Sequence, residues 1–230
     1  IQPILNQLKK SLWMELVGFL THAGHTYDCR DKDQVCKIHD ESRRLLLQLK
    51  ERYSEEFSNL QLSVGDTPTC SIVDAAEFEG LDEIRPGNFV FYDLEQAAIG
   101  SCQVDDIAVA VACPIVAKHP QRHELILYGG GVHFSKDRLS GQPEGTIFGR
   151  VVARHDDKST LSWDGMIDGM YLKGVSQEHG KVVVPPSQWE NYHVGDLLFV
   201  LPVHSCMTAD VLKHKGYLTT EGQVLERMKN

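Results

Sequence analysis

Apolar residues at positions 1, 4, 5, 8, 12 and 13 fall on one helical stripe, so the chain is predicted to open with a helix from Ile1 to about Glu15. Leu16-Val17-Gly18-Phe19-Leu20-Thr21 then reads as a short buried strand, broken at Ala23-Gly24. Helical spacing returns from about Gln34 to Phe57, where Val35, Ile38, Leu45, Leu46, Leu49 and Tyr53 recur among charged residues. A second strand, Leu60-Gln61-Leu62-Ser63-Val64, ends in Gly65-Asp66-Thr67-Pro68. Two strands joined through one long helix make a βαβ unit with parallel pairing.

The pattern changes after about Ala75. Phe89 to Tyr92, Ile107 to Cys113, Glu124 to Tyr128, Ile147 to Ala153, Gly169 to Ser176, Lys181 to Val184 and Leu197 to Leu201 are short β-type runs. Turn residues separate them, and Arg85-Pro86-Gly87-Asn88 is predicted to be the turn leading into the first long strand. The expected class is α+β. Residues 1–74 form terminal βα units and residues 75–230 an all-β domain. Because strands of a parallel pair are apolar on both faces, the N-terminal part is expected to be the tail of a larger α/β body, such as a (β/α)8 barrel incomplete here. The chain begins at Ile1 rather than Met, which fits an upstream portion holding the rest.

Composition narrows the function classes. A formal net charge of -9, with no basic stripe, argues against a nucleic-acid surface, which needs clustered Lys and Arg. No apolar run approaches the roughly 20 residues of a membrane span, so a soluble protein with no membrane partner is expected. The six cysteines, at positions 29, 36, 70, 102, 113 and 206, are irregularly spaced in a chain large enough to build its own core, which points to a reducing cytoplasm.

The richest chemical signal is Leu201-Pro202-Val203-His204-Ser205-Cys206-Met207-Thr208. In an extended strand, residues i and i+2 share a face, so His204 and Cys206 are predicted to project side by side. A cation about 2.0 to 2.3 Å from nitrogen and sulfur would fit between them, with open positions for water or substrate. The competing reading is a buried cysteine beside a satisfied histidine. Two loops resemble the phosphate-facing loops of barrels: Gly24-His25-Thr26-Tyr27 after the first strand, and Gly65-Asp66-Thr67-Pro68-Thr69 after the second. The second loop is equally a turn that caps a following helix. His22, His25, Cys29, Cys36 and His39 match no zinc spacing and are expected on loop and helix surface. Gly129-Gly130-Gly131 admits close approach of either a backbone or a ligand. Glu178 and His179 face opposite ways in a strand and pair only if Gly180 turns the chain.

Taken in order, Gly65-Asp66-Thr67-Pro68-Thr69, Glu83 to Asp93, the glycine run with Ser135-Lys136-Asp137, Gln177-Glu178-His179-Gly180, Val194-Gly195-Asp196 and Pro202-Val203-His204-Ser205-Cys206 resemble the D-serine dehydratase and D-threonine aldolase family over about residues 16 to 215. That family has the alanine-racemase type of fold, a barrel that binds pyridoxal phosphate (PLP) followed by a β-domain. The resemblance implies that this chain is the C-terminal portion of a PLP- and metal-dependent lyase for β-hydroxy D-amino acids. It implies zinc or another divalent ion on His204 and Cys206, and the PLP phosphate against Gly24, His25, Thr26, Tyr27, Gly65, Asp66 and Thr67. Cys206 favours a dehydratase over an aldolase, which carries a carboxylate there; a racemase is the third outcome.

Val203 and Asp66 depart from the Asn and the small hydroxyl residue often found in the family. The lysine that holds PLP belongs on the first barrel strand, and no lysine of this chain has that setting, so the chain alone is expected to hold no covalent PLP. The implied partners are a small D-amino acid and a second copy in a homodimer. The reading from another class is a non-catalytic β-domain for dimerisation or metal binding.

Overall fold

A computed structural model describes residues 1–155 and 162–213 and the short strands Thr219–Thr220 and Gln223–Val224. Two compact units divide the chain, Ile1–Phe89 with Ile99–Ser101, and Val90–Ala98 with Cys102–Asn230.

In the first unit, helix α1 (Gln2–Leu8) is shorter than its apolar stripe predicts. The Ser11 hydroxyl accepts from the N–H groups of Trp13 and Met14 and turns the chain, leaving Leu12 and Trp13 91% and 93% exposed. Strand β1 (Gly18–His22) leads into helix α2 (Lys32–Tyr53). The Asp31 carboxylate caps α2 by accepting from Gln34 N–H at 2.9 Å. Its buried stripe of Val35, His39, Leu46 and Tyr53 sits at helical spacing. Strand β2 (Gln61–Gly65) pairs in parallel with β1, and all but its first residue is buried, as a covered parallel strand requires. Helix α3 (Thr67–Ile72) follows.

Strand β3 (Glu83–Arg85) pairs in parallel with the other edge of β2. It corrects the prediction of a turn leading into a strand at Phe89 to Tyr92. Pro86 has no N–H to continue a ladder, Asn88–Val90 is a single 3-10 turn, and Tyr92 has a left-handed φ of 50°. The histidine and cysteine cluster also differs from its expected surface setting. Cys29 and His39 are buried, and His39 Nε2 lies 3.0 Å from the Glu77 carbonyl with its ring 4.7 Å from Phe78.

The second unit begins with helix α4 (Leu94–Ile99), of which Leu94 to Ala98 belong to it. Strands β4 (Val111–His119) and β5 (Glu124–Tyr128) precede helix α5 (Gly131–Phe134). The hairpin of β6 (Leu139–Gln142) and β7 (Gly145–Ile147) comes next, then β8 (Gly149–His155), β9 (Ser162–Val175), β10 (His179–Val183) and β11 (Leu197–Pro202). A closed antiparallel barrel runs β10-β5-β4-β11-β8-β9, and closure removes sheet edges. Leu125, Leu127, Val151, Met170, Leu172, Val182 and Val200 fill it with no exposed surface. Helix α6 (Ser205–Leu212) leaves the end of β11. Among the described residues no helix is long and apolar enough to cross a membrane.

Candidate metal pair and phosphate loops

His204 and Cys206 are together, by a different geometry from the one predicted. The strand ends at Pro202; His204 is the extended residue that precedes α6, with φ -128° and ψ 104°, and Cys206 lies in the first helical turn. The chain must bend here because Asp93 and Glu95 pull on it. Ser205 N–H donates to the Asp93 carboxylate at 2.9 Å, and Glu95 N–H donates to the Val203 carbonyl at 3.2 Å. The bend leaves the Cys206 thiol within hydrogen-bonding reach of the imidazole.

That contact comes first among the causes that raise the His204 pKa to about 9; burial opposes it, and the Asp93, Asp137 and Glu95 carboxylates add to it. His204 Nδ1 stands 3.8 Å from Glu95 Oε2 and 3.7 Å from Asp137 Oδ2. Asp137 is held in turn by Ser135, whose hydroxyl donates to Oδ2 at 2.9 Å from a backbone with φ 68°, a conformation strained for any residue but glycine. An imidazole whose Nδ1 faces carboxylates is set to offer Nε2 to a metal. The donor set therefore fits a divalent ion of zinc type, with nitrogen and sulfur adjacent and carboxylates behind the ring. Among the described residues no group of three or more His, Cys, Asp and Glu side chains is arranged to hold a metal. Burial, first among the causes in each case, pushes up the thiols of Cys29, Cys36, Cys70, Cys102 and Cys113, the last two to about 12.

The two loops expected to face a phosphate lie in the first unit. Gly24 to Asp28 forms a 3-10 turn after β1, with Gly24 and His25 exposed, Tyr27 half-buried and Thr26 buried. Asp66 caps α3 by accepting from Thr69 N–H at 2.7 Å, and the Thr26 hydroxyl is 3.1 Å from the same oxygen. Thr67 is buried and its hydroxyl accepts from Asn88 N–H at 3.0 Å. Thr26, Asp66 and Thr67 thus point inward, and the capping role of the second loop is realised. Gly65 is buried as well, and the half-buried Arg85 lies beside it. A Cβ on Gly65 would come within 3.0 Å of Arg85 Nη1 and 3.2 Å of His22 Nδ1. Arg85 is aimed there by bonds from Nε to the Ser63 hydroxyl at 2.6 Å and from Nη2 to the Thr21 carbonyl at 2.7 Å. A phosphate at these loops would meet the half-buried Arg85 guanidinium rather than the three inward side chains. Arg85 was legible only as part of a turn; its place at the end of a third parallel strand is the missing signal.

Asp66 yields a pH prediction. Its carboxylate is buried at a φ of 113°, and burial raises its pKa against the pull of Thr69 and Thr26. A carboxyl with a raised folded-state pKa binds more protons folded than unfolded. First-unit stability should therefore fall as pH rises from the ordinary Asp value of about 3.9 through the raised one, and stay lower above it. Asp66→Asn should flatten that slope in urea titrations across the acid range; an unchanged slope would assign it to other groups.

Residues 108–218 match the family described as a putative serine dehydratase domain. The chain carries a D-serine-dehydratase-like domain. The D-serine dehydratase of Dictyostelium discoideum is 27% identical over 231 residues, which cover 94% of this chain and 54% of that protein. The D-threo-3-hydroxyaspartate dehydratase of Delftia sp. is 27% identical over 232 residues, covering 96% of this chain and 58% of that one. Its solved structure superposes with a TM-score of 0.78 at 26% identity, over 93% of this chain and 56% of that chain. An alanine-racemase-like protein from Idiomarina loihiensis also gives 0.78, at 25% identity over 92% and 54%. The dehydratase-like chain therefore spans little more than half the length of these relatives. Solved variants of D-threo-3-hydroxyaspartate dehydratase that superpose on this chain with the same TM-score carry alanine in place of a histidine and of the cysteine two positions after it, the latter in a metal-free form.

Proposed function

We propose that this chain is the metal-holding C-terminal portion of a PLP- and metal-dependent lyase that dehydrates a β-hydroxy D-amino acid, D-serine or a close analogue such as D-threo-3-hydroxyaspartate. The observation that carries the proposal is the contact between His204 and Cys206 at the start of α6, within a D-serine-dehydratase-like domain. The paired histidine and cysteine positions in the solved dehydratase variants support it.

His204, with Nδ1 toward Glu95 and Asp137, and Cys206 would hold the ion. A divalent ion supplies there a Lewis acid for the substrate β-hydroxyl, which makes it a better leaving group. In the first unit Arg85 would hold the PLP phosphate, and PLP supplies an electron sink at the substrate α-carbon. With no lysine of this chain in the Schiff-base setting, the covalent link to PLP falls outside it. The reading includes a cytoplasmic homodimer, checked by sedimentation. A thiol two residues after the histidine favours dehydratase over aldolase, with a racemase as the third outcome.

The metal half of the function is testable with the chain alone. Loaded with Co2+, it should show a visible band that D-serine or D-threo-3-hydroxyaspartate perturbs and L-serine does not. A band indifferent to both D-amino acids would refute the substrate assignment. Failure to take up metal would leave the non-catalytic β-domain.

A further inference from the structure

The geometry points to Asp93 as the positioning residue of the metal pair: its buried carboxylate holds the peptide between His204 and Cys206 and so fixes the two side chains against one ion. This rests on the reading of His204 and Cys206 as metal ligands.

Asp93 has no exposed surface, and an unpaired carboxylate in that setting would be costly. Its two oxygens are used separately. Oδ1 accepts from Gln96 N–H at 2.9 Å and caps the first turn of α4. Oδ2 accepts from Ser205 N–H at 2.9 Å, with the Ser205 hydroxyl at 3.3 Å. Ser205 is itself fully buried and lies 112 residues away in sequence.

The residue on the other side of His204 is tied to the same turn, because Glu95 N–H donates to the Val203 carbonyl. His204 is thus suspended between two tethers to one short segment. Its carbonyl accepts from Thr208 N–H at 3.2 Å and from the Thr208 hydroxyl at 3.0 Å, which fixes the start of α6 and with it Cys206. Glu95 also sets its carboxylate beside His204 Nδ1. The segment from Asp93 to Gln96 therefore acts as a template for both ligands, and Asp93 is its anchor. The bonds of Asp93 given above run to Ser205, between the two ligands, and to Gln96. Removal of the anchor should therefore loosen the pair and spare both ligands.

The test uses the 230-residue chain and Co2+ alone. Wild type should bind one Co2+ with a thiolate-to-metal charge-transfer band that is lost in Cys206→Ala. Asp93→Asn keeps the shape and one acceptor but loses the charge, and should bind Co2+ at least about tenfold more weakly, with a fainter charge-transfer band. Ser205→Pro approaches the same bond from the other side: it removes the N–H at the first helical position, where proline is tolerated, and His204 already has the extended backbone that a following proline prefers. It should mimic Asp93→Asn, and Ser205→Ala should bind within about twofold of wild type, since the N–H remains.

If both main variants fold by circular dichroism and bind Co2+ with wild-type affinity and spectrum, Asp93 does not position the pair. If Asp93→Asn fails to fold, Ser205→Pro decides; if both fail, Asp93 serves the fold and the positioning role is overturned. A wild-type chain with no charge-transfer band would instead sink the metal reading itself, an outcome distinct from the others.

Discussion

Cys206→Ala is expected to lower Zn2+ affinity by roughly 100-fold or more, a loss of about 2.7 kcal/mol, and His204→Ala by a similar factor. The reason is arithmetic of ligands. Two protein donors stand together here and no third joins them among the described residues, so each substitution leaves a single donor. Glu95 and Asp137 do not replace the lost ligand cheaply: they face Nδ1 of the ring, and hard carboxylate oxygens are poorer partners for zinc than a thiolate. Cys206→Asp separates donor number from donor type. It restores a second ligand, so Zn2+ affinity should recover to within about tenfold of wild type while preference moves toward Mn2+, which oxygen donors suit. Chelator-competition titration measures all three. Equal Zn2+ affinity in wild type and Cys206→Ala would remove the thiol from the site.

The division between what could and could not be read from the chain follows physical lines. β2 was legible because Leu60, Leu62 and Val64 recur at every second position, the period of a strand, ahead of the Gly65-Asp66-Thr67-Pro68 turn. The cap before α3 was legible because Asp followed by Thr and Pro is local chemistry, realised in the Asp66 bond to Thr69. Leu12 and Trp13 fitted a helical stripe, yet one serine hydroxyl ended the helix ahead of them. Phe89 to Tyr92 has strand composition, but the strand is Glu83–Arg85, because the free edge of β2 and the proline decide the register and neither is a periodicity.

The metal pair shows the same boundary. Residue types and spacing named His204 and Cys206, and the stated reason, a shared strand face, did not survive. Tethers from Asp93 and Glu95, more than 100 residues upstream, bend the chain into a helix and bring the two side chains together by another route. Long-range hydrogen bonds leave no pattern in a sequence, so Asp93 and Arg85, which aim other groups, were invisible as site residues.

Gly130→Ala is expected to destabilise the second unit by about 3 kcal/mol or more, whereas Gly131→Ala, one residue on, should change stability by no more than about 0.5 kcal/mol. The glycine run admitted either a ligand or a backbone, and here a backbone fills the space. A Cβ on Gly130 would lie 2.5 Å from the Glu178 carbonyl carbon, 2.5 Å from His179 N and 2.6 Å from the Ser176 oxygen. None of these is a flexible side-chain tip. The turn from Ser176 to His179 is tied to the glycines by Gly129 N–H to the Glu178 carbonyl at 3.0 Å and Gly131 N–H to the Ser176 carbonyl at 2.8 Å, so relief of the clash breaks hydrogen bonds as well. At Gly131 the nearest atom to a Cβ is 3.5 Å away, ordinary contact, and the position opens α5, where alanine is a better helix former than glycine. Urea unfolding of the two variants side by side measures the contrast. Equal stabilities would mean that the turn yields freely, and the run would then be open to a ligand after all.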